Sequence, residues 1–400
     1  MNILFIHQNF PGQFVHLAAD LAREPGNKVV ALTMRANPAP AGVTVRPYTL
    51  LRGAAPESHP LLREEEGKVL RAEACASAAF QLKREGFVPD LIVAHPGWGE
   101  SLFIKDVFPQ AKLVVYCEYY YALEGQDVGF DPEMPALTFE QRCRLRLRNT
   151  NNLLSMEMAD AAIAPTEWQK STYPAWARDK ITVVHDGIDL ERVRYNPQAG
   201  LTLSGPRGQR TFSAGDEVVS YVARNLEPVR GFHMFMRTLP EVLRRRPNAQ
   251  VIVVGGNEVS YGQLPAGGGN WKDHMMAEVA GELDMSRIHF VGKVPYQAYL
   301  SLLSISRVHT YWTTPFVLSW SFLEAAASGL PVVASDTAPV REFAGLVGAT
   351  TAPFFDRGGF ADRIEERLAD PVARAVQPRL LPEIALADCL RRQKAVLQSV

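Results

Sequence analysis

The sequence predicts an α/β protein built from two doubly wound, parallel-sheet domains, and three observations carry that prediction. Short apolar runs rich in β-branched residues alternate with longer amphipathic stretches from end to end. A segment rich in Gly, Pro, Ser and Thr interrupts the alternation near the middle. The length, 400 residues, exceeds the roughly 250–300 at which a single hydrophobic core stops growing.

In the first half, strand patterns fall at 3–7, 29–33, 43–47, 91–95, 113–117, 161–165 and 181–185, with helical patterns at 13–23, 62–85 and 136–158. Short apolar runs bounded by Gly, Pro or Asp suit strands buried on both faces. Alternation with helices implies right-handed crossovers between parallel strands. After Asp189 the pattern lapses into residues 196–216 (NPQAGLTLSGPRGQRTFSAGD), and the linker is set at 196–212 within them. A second series of strands follows at 218–223, 250–255, 288–292, 308–312 and 331–335, separated by helices at 232–245, 272–283, 296–304 and 320–328. The segment 261–271 reads as a mobile surface loop. The expected division is a first domain at 1–195, a second at 213–375, and a last helix within 376–400 that packs back on the first domain. Two such domains place a cleft between the carboxyl ends of their strands, where open α/β sheets bind ligands.

Composition narrows the partner. Lys plus Arg number 42 against 43 Asp plus Glu, a formal net charge of −1, which argues against a nucleic-acid partner. A hydrophobic content of 47% with so small a net charge excludes intrinsic disorder. Cys75, Cys117, Cys143 and Cys389 show no CxxC spacing and read as thiols in a reducing compartment. The opening MNILFIHQNF has no basic leader, and no apolar run approaches the ~18 residues of a membrane span. The expected location is cytoplasmic, with peripheral contact at the inner membrane face allowed.

Two segments concentrate groups suited to a diphosphate. In VVSYVARNLEPVRGF, Arg224 closes a strand and Arg230 precedes Gly231 at the start of a helix. Two guanidinium groups so placed can neutralise a diphosphate, aided by helix N–H groups. Two surface arginines capping loops are the plainer reading. In TTPFVLSWSFLEAAASGLPVVASD, Glu324 stands mid-helix among apolar residues, where a carboxylate needs a partner. A ribose diol or a nearby arginine would serve. Backbone N–H groups near Ser319 and Trp320 could face phosphate oxygens.

At these residues the chain resembles the GT-B glycosyltransferases, in particular the retaining family 4 type. That family runs from an Arg and a Lys, through a strand ending in Gly, to E-x7-E-A-x-A-x-G-x-P-V-V. Arg224 and Arg230 match the basic pair, with Arg for Lys and one extra residue between them. Gly292 matches the strand glycine before the base-holding loop, and LEAAASGLPVVASD matches the second half of the acidic motif. The resemblance implies a GT-B fold of two Rossmann-like domains facing a central cleft, with Glu324 as the ribose anchor. It also implies an N-terminal acceptor domain and a C-terminal nucleotide-sugar domain. The family's first motif glutamate is here Phe316. In the first half, Gly12 of FPGQF stands for the family's paired glycines, near donor phosphate or sugar. His95 of DLIVAHPGWGE, beside an accessible Gly-Trp-Gly loop, stands for its His facing sugar and acceptor. VVHDGIDLE resembles the segment before the linker, with Asp186 structural.

Weaker features are the basic run Arg142, Arg144, Arg146 and Arg148, the capping box at Thr166–Gln169, and Tyr119, Tyr120 and Tyr121 beside Glu118, which could line an acceptor site. No Asp-x-Asp metal clamp, Walker A, GxSxG, HExxH or full GxGxxG occurs. The resemblance, with no metal clamp in the sequence, implies a metal-independent, cofactor-free, retaining glycosyltransferase. It would move a sugar from a UDP- or GDP-sugar to a glycan, lipid-linked or small-molecule acceptor. Two rivals remain, a GT-B protein that binds nucleotide or glycan with weak or no transfer, and a nucleotide-sugar 2-epimerase.

Overall fold

The computed structural model describes residues 1–400 except 36, 206, 207, 370–373 and 375–380. The chain divides into two compact units, Met1–Gly187 with Glu383–Val400, and Ile188–Pro382.

The first unit is built on seven parallel strands, β1 (Asn2–Ile6), β2 (Lys28–Thr33), β3 (Val43–Pro47), β4 (Leu91–Ala94), β5 (Lys112–Tyr116), β6 (Ala161–Ala164) and β7 (Ile181–Val183), in the order β3-β2-β1-β4-β5-β6-β7. Side chains alternate across each strand. Ile3 and Phe5 join a core with Phe14 and Leu17, while Leu4 and Ile6 join a second core with Leu82 and Ile92. Both faces are therefore covered, which is why these strands read as continuous apolar runs. The chain reverses its direction of travel across the sheet between β1 and β4, and the crevice of a doubly wound sheet opens there, beyond the carboxyl ends.

The helix expected at 136–158 is two helices, Phe139–Leu147 and Thr150–Met158. The break falls at Asn149, whose side-chain amide accepts from Tyr121 N–H (2.9 Å) and donates to Tyr121 O (2.8 Å). Of the tail at 376–400, residues 376–380 lie outside the described residues. Beyond them the helix Leu386–Gln398 completes the first unit. Its Cys389, Val396 and Leu397 enter the core that holds Phe5, and Lys394 pairs with Asp20 (2.7 Å) and Glu24 (3.0 Å).

The second unit begins with a feature that corrects the sequence reading. The segment 196–212 is no linker; it carries most of an antiparallel hairpin, β8 (Gly200–Gly205) and β9 (Gly208–Ser213). Leu201 and Leu203 pack against Phe212, Ile252 and Leu302, so alternate residues of a polar-looking stretch are anchored in a core. The unit boundary lies earlier, between Gly187 and Ile188.

Six parallel strands follow, β10 (Val218–Asn225), β11 (Gln250–Gly256), β12 (Ile288–Gly292), β13 (Val308–Tyr311), β14 (Val332–Ser335) and β15 (Thr350–Ala352), in the order β12-β11-β10-β13-β14-β15. The reversal point here lies between β10 and β13. The segment 261–271 is tied down rather than loose. Tyr261 N–H donates to the buried Glu227 carboxylate (3.1 Å), and Trp271 Nε1 donates to Gln263 O (2.7 Å).

Candidate functional site

The second unit gathers polar side chains at its β10/β13 reversal point. After β10 the chain makes a short turn, Pro228–Arg230, and enters the helix Phe232–Arg245 through Gly231. Gly231 has φ +63°, and a Cβ there would overlap the Trp312 ring, so only glycine allows this close entry.

Arg230 is buried at this corner. Its Nη1 donates to Val317 O (2.7 Å), Thr313 Oγ1 (2.9 Å) and Tyr311 OH (3.3 Å), while Tyr221 OH donates to its carbonyl (2.6 Å). Among the described residues no acceptor binds its Nη2 or Nε. The guanidinium is thus fixed through one nitrogen and keeps donors for an anion. The rings of Tyr261 and Phe316 lie over it, 5.7 and 5.6 Å from their centroids. Phe316, standing where the family motif has glutamate, therefore covers Arg230 with an aromatic face. Glu227 sets this arrangement by accepting N–H bonds from Ser260, Tyr261 and Gly262, which fastens the Tyr261 loop beside the turn.

Arg224, at the end of β10, is exposed and makes no side-chain hydrogen bond or ion pair among the described residues. The two arginines thus differ, one locked and one free to reach. Ser319 N–H, expected to face phosphate oxygens, is instead taken by Tyr311 OH (2.9 Å), and Ser319 Oγ accepts from Ser321 N–H to cap the helix Trp320–Ala327. Tyr311 thereby links Ser319 to Arg230. Trp320 is the first residue of that helix.

Glu324 is buried within the same helix, and its partner is no arginine. Oε1 accepts from Tyr296 OH (2.7 Å) and Oε2 from Tyr299 OH (2.9 Å). Burial raises its pKa, opposed by those two hydroxyls. Gly292 ends β12 with φ +66° and open space around it, at the sheet edge two strands from β10.

In the first unit the β1/β4 crevice holds His7, Gln13, His95 and Glu118. His95 directly follows β4 and is buried, with Trp98 (4.6 Å) and Tyr116 (5.5 Å) stacked against its ring, while Gly97 of the adjoining loop is exposed. Its Nδ1 accepts from Gly97 N–H (3.1 Å) and its Nε2 lies 3.3 Å from Glu118 Oε2. Gln13 bridges His7 Nε2 and Glu118 Oε1, both at 2.8 Å. Burial, and then the neighbouring His95, lower the His7 pKa to about 3, so this imidazole is neutral. Gly12 (φ +49°) does allow a close approach, but to the His7 ring. Tyr116 OH donates to Asp186 (2.9 Å), in keeping with a structural aspartate.

Sequence reading missed Glu227, Tyr261, Tyr296, Tyr299, Tyr311 and Thr313. Only Glu227, an acid within LEPVRG, carries a local signal. Tyr296, Tyr299 and Tyr311 sit in ordinary helix and strand patterns, and Tyr261 sits in a loop with no motif around it.

Both units are Rossmann-like parallel-sheet α/β domains, and together they make a GT-B fold. Residues 25–193 match the family described as Glycosyl transferase family 4 group, and residues 216–370 match Glycosyl transferases group 1. The chain belongs to the GT-B glycosyltransferases of the family 4 type. Spore coat protein SA of Bacillus subtilis is 25% identical over 214 residues, 51% of this chain and 53% of that protein. The GDP-mannose-dependent monoacylated alpha-(1-6)-phosphatidylinositol monomannoside mannosyltransferase of Corynebacterium glutamicum is 22% identical over 196 residues, 47% of each chain. The chain spans about half the length of the curated relatives it matches. Sucrose-phosphate synthase from Thermosynechococcus elongatus shares the fold with a TM-score of 0.70 at 16% identity, over 100% of this chain and 98% of that one. Among the described residues no helix is long and apolar enough to cross a membrane.

Proposed function

We propose that this glycosyltransferase is retaining and metal-independent, and that it transfers a sugar from a UDP- or GDP-sugar to a glycan, lipid-linked or small-molecule acceptor. The observation that carries the reading is Arg230, a buried guanidinium anchored through Nη1 with Nη2 and Nε left to meet a diphosphate. When the sugar–phosphate bond breaks, its electron pair leaves with the nucleoside diphosphate. Arg230 and the exposed Arg224 stabilise that charge without a metal ion. Glu324 anchors the ribose, Gly292 opens the loop that receives the base, and the Ser319–Trp320 helix start lies on the phosphate side. In the first unit, the Gly12 turn lies on the donor side, and His95, with Glu118 beside it, orients sugar and acceptor. The matches to two glycosyltransferase families and the GDP-mannose-dependent relative support this reading.

Arg230→Ala is the test. It removes charge-assisted bonds worth about 1.5–3 kcal/mol, so turnover at limiting donor should fall roughly 10–150-fold. Wild-type rates would remove the phosphate assignment. Phe316 favours a second reading, a protein that binds nucleotide without efficient transfer. Calorimetry with UDP and GDP beside a product assay separates the two, since binding without product from any acceptor selects the second. Donor isomerised in the absence of acceptor would instead select a 2-epimerase.

A further inference from the structure

We propose that Tyr296 and Tyr299 are positioning residues that aim the Glu324 carboxylate at a vicinal diol, so that discrimination for a ribonucleotide depends on both phenols. This inference rests on the assignment of Glu324 as the ribose anchor.

Glu324 projects from the helix Trp320–Ala327, and its two oxygens are held by two different hydroxyls of one neighbouring helix, Tyr296–Ile305. Tyr296 OH donates to Oε1 at 2.7 Å and Tyr299 OH to Oε2 at 2.9 Å. The tyrosines are three residues apart, the spacing that places side chains on one face of a helix, and their rings meet at 5.7 Å. Each carboxylate oxygen accepts up to two hydrogen bonds. One acceptor position per oxygen is occupied, which leaves one on each, side by side and at fixed separation. Two adjacent hydroxyls match that pair, and a single hydroxyl uses half of it.

The phenols do a second task. Glu324 is buried, and no Arg or Lys forms an ion pair with it among the described residues. Two O–H donors supply the stabilisation that an ionised carboxylate requires in that setting without adding a cation that would compete for the diol. The nearest charge is Arg192, which favours the ionised carboxylate directly as well as through Tyr296. Arg192 places its guanidinium over the Tyr296 ring, 4.4 Å from the centroid, beside the phenol that donates to Oε1. Tyr299 is buried, whereas Tyr296 is partly exposed.

The experiment is calorimetric titration of the full chain. UDP, GDP, ADP and CDP are titrated first, and the tightest is then compared with its 2′-deoxy and 3′-deoxy forms. The variants are Tyr296→Phe, Tyr299→Phe and Glu324→Ala, each checked for folding by circular dichroism. In the wild type each deoxy form should bind roughly 10–100-fold more weakly, as expected for a lost hydrogen bond to a charged acceptor. In each Tyr→Phe variant that preference should shrink to about threefold or less, while the deoxy forms themselves bind nearly as in the wild type. A purely structural role would weaken ribo and deoxy forms alike. Preference retained in the Phe variants but lost in Glu324→Ala overturns the role of the tyrosines alone. Preference retained in Glu324→Ala, or absent from the wild type, overturns the ribose assignment, and no binding of any diphosphate overturns the donor site itself. Should Tyr299→Phe fail to fold, the partly exposed Tyr296→Phe decides the outcome.

Discussion

Arg230 and Gly231 show how one backbone corner fixes a buried guanidinium. Gly231 turns the chain at φ +63° against the Trp312 ring, and the residue before it is thereby driven inward to Val317 O and Thr313 Oγ1. Gly231→Ala adds a Cβ where the ring already sits and imposes left-handed strain, at a cost of about 2–4 kcal/mol. The urea midpoint should fall accordingly, and nucleotide binding should weaken even at temperatures where the variant remains folded. An unchanged midpoint would show that the Trp312 contact is yielding. At this scale the sequence exposes charges but hides their holders. Arg230 and Glu324 stand out because each lies in an apolar or tightly turned setting. Their partners do not, since Thr313 lies 83 positions from Arg230 and Tyr296 lies 28 from Glu324. No local spacing encodes such pairs. Phe316 was visible as a departure from the family pattern, yet its place over Arg230 depends on the loop that Glu227 fastens.

Among the elements, the helix Phe139–Leu147 presents the least absorbed chemistry. A capping box at Thr138 starts it, and Phe139 is 82% exposed. Arg142, Arg144 and Arg146 are exposed, while Arg148 beyond its end pairs with Glu64 (3.1 Å). An aromatic ring and three guanidinium groups on one short helix suit an anionic lipid surface. If the acceptor is lipid-linked, the protein should sediment with vesicles containing phosphatidylglycerol but not with phosphatidylcholine alone. Charge reversal of Arg142, Arg144 and Arg146 should cut the bound fraction at least about tenfold, at roughly 1 kcal/mol per charge. Equal recovery with both vesicle types would discard the membrane contact. Element boundaries were legible wherever burial on both faces makes continuous apolar runs, as in β1, β4, β10 and β11. They were not legible where side chains do the anchoring, as in β8 and β9, whose Leu201 and Leu203 are diluted among Gly, Ser and Thr. The break at Asn149 was equally hidden, because its cause is a clamp on Tyr121, 28 positions away.

Across the whole molecule, buried neutral histidines set the response to acid. His7 is held at about 3, His185 at about 4 and His309 at about 3, each chiefly by burial. In the unfolded chain all three titrate near 6.5, so below that pH the unfolded state binds more protons and stability falls toward the folded values. Each should cost about 2 kcal/mol at pH 5 relative to pH 7. His309→Gln should shrink that loss by the same amount, whatever it does to stability at pH 7. Unfolding curves at the two pH values measure it, and an unaltered difference would show that His309 is not held neutral. Length and alternation made two α/β units legible. The point where the chain leaves the first unit was not, since Gly187 and Ile188 differ little in composition from their neighbours, and the Gly- and Pro-rich signal lies in the hairpin that follows.

The return of residues 383–400 to the first unit has a consequence during synthesis. A ribosome releases the seven strands of that unit long before Cys389, Val396 and Leu397 exist to cover the face around Phe5 and Val93. At roughly 5–20 residues per second, translating residues 188–382 leaves that apolar face open for about 10–40 s. Through that interval the nascent first unit carries an apolar face that the helix Leu386–Gln398, made some two hundred residues later, is the element to cover.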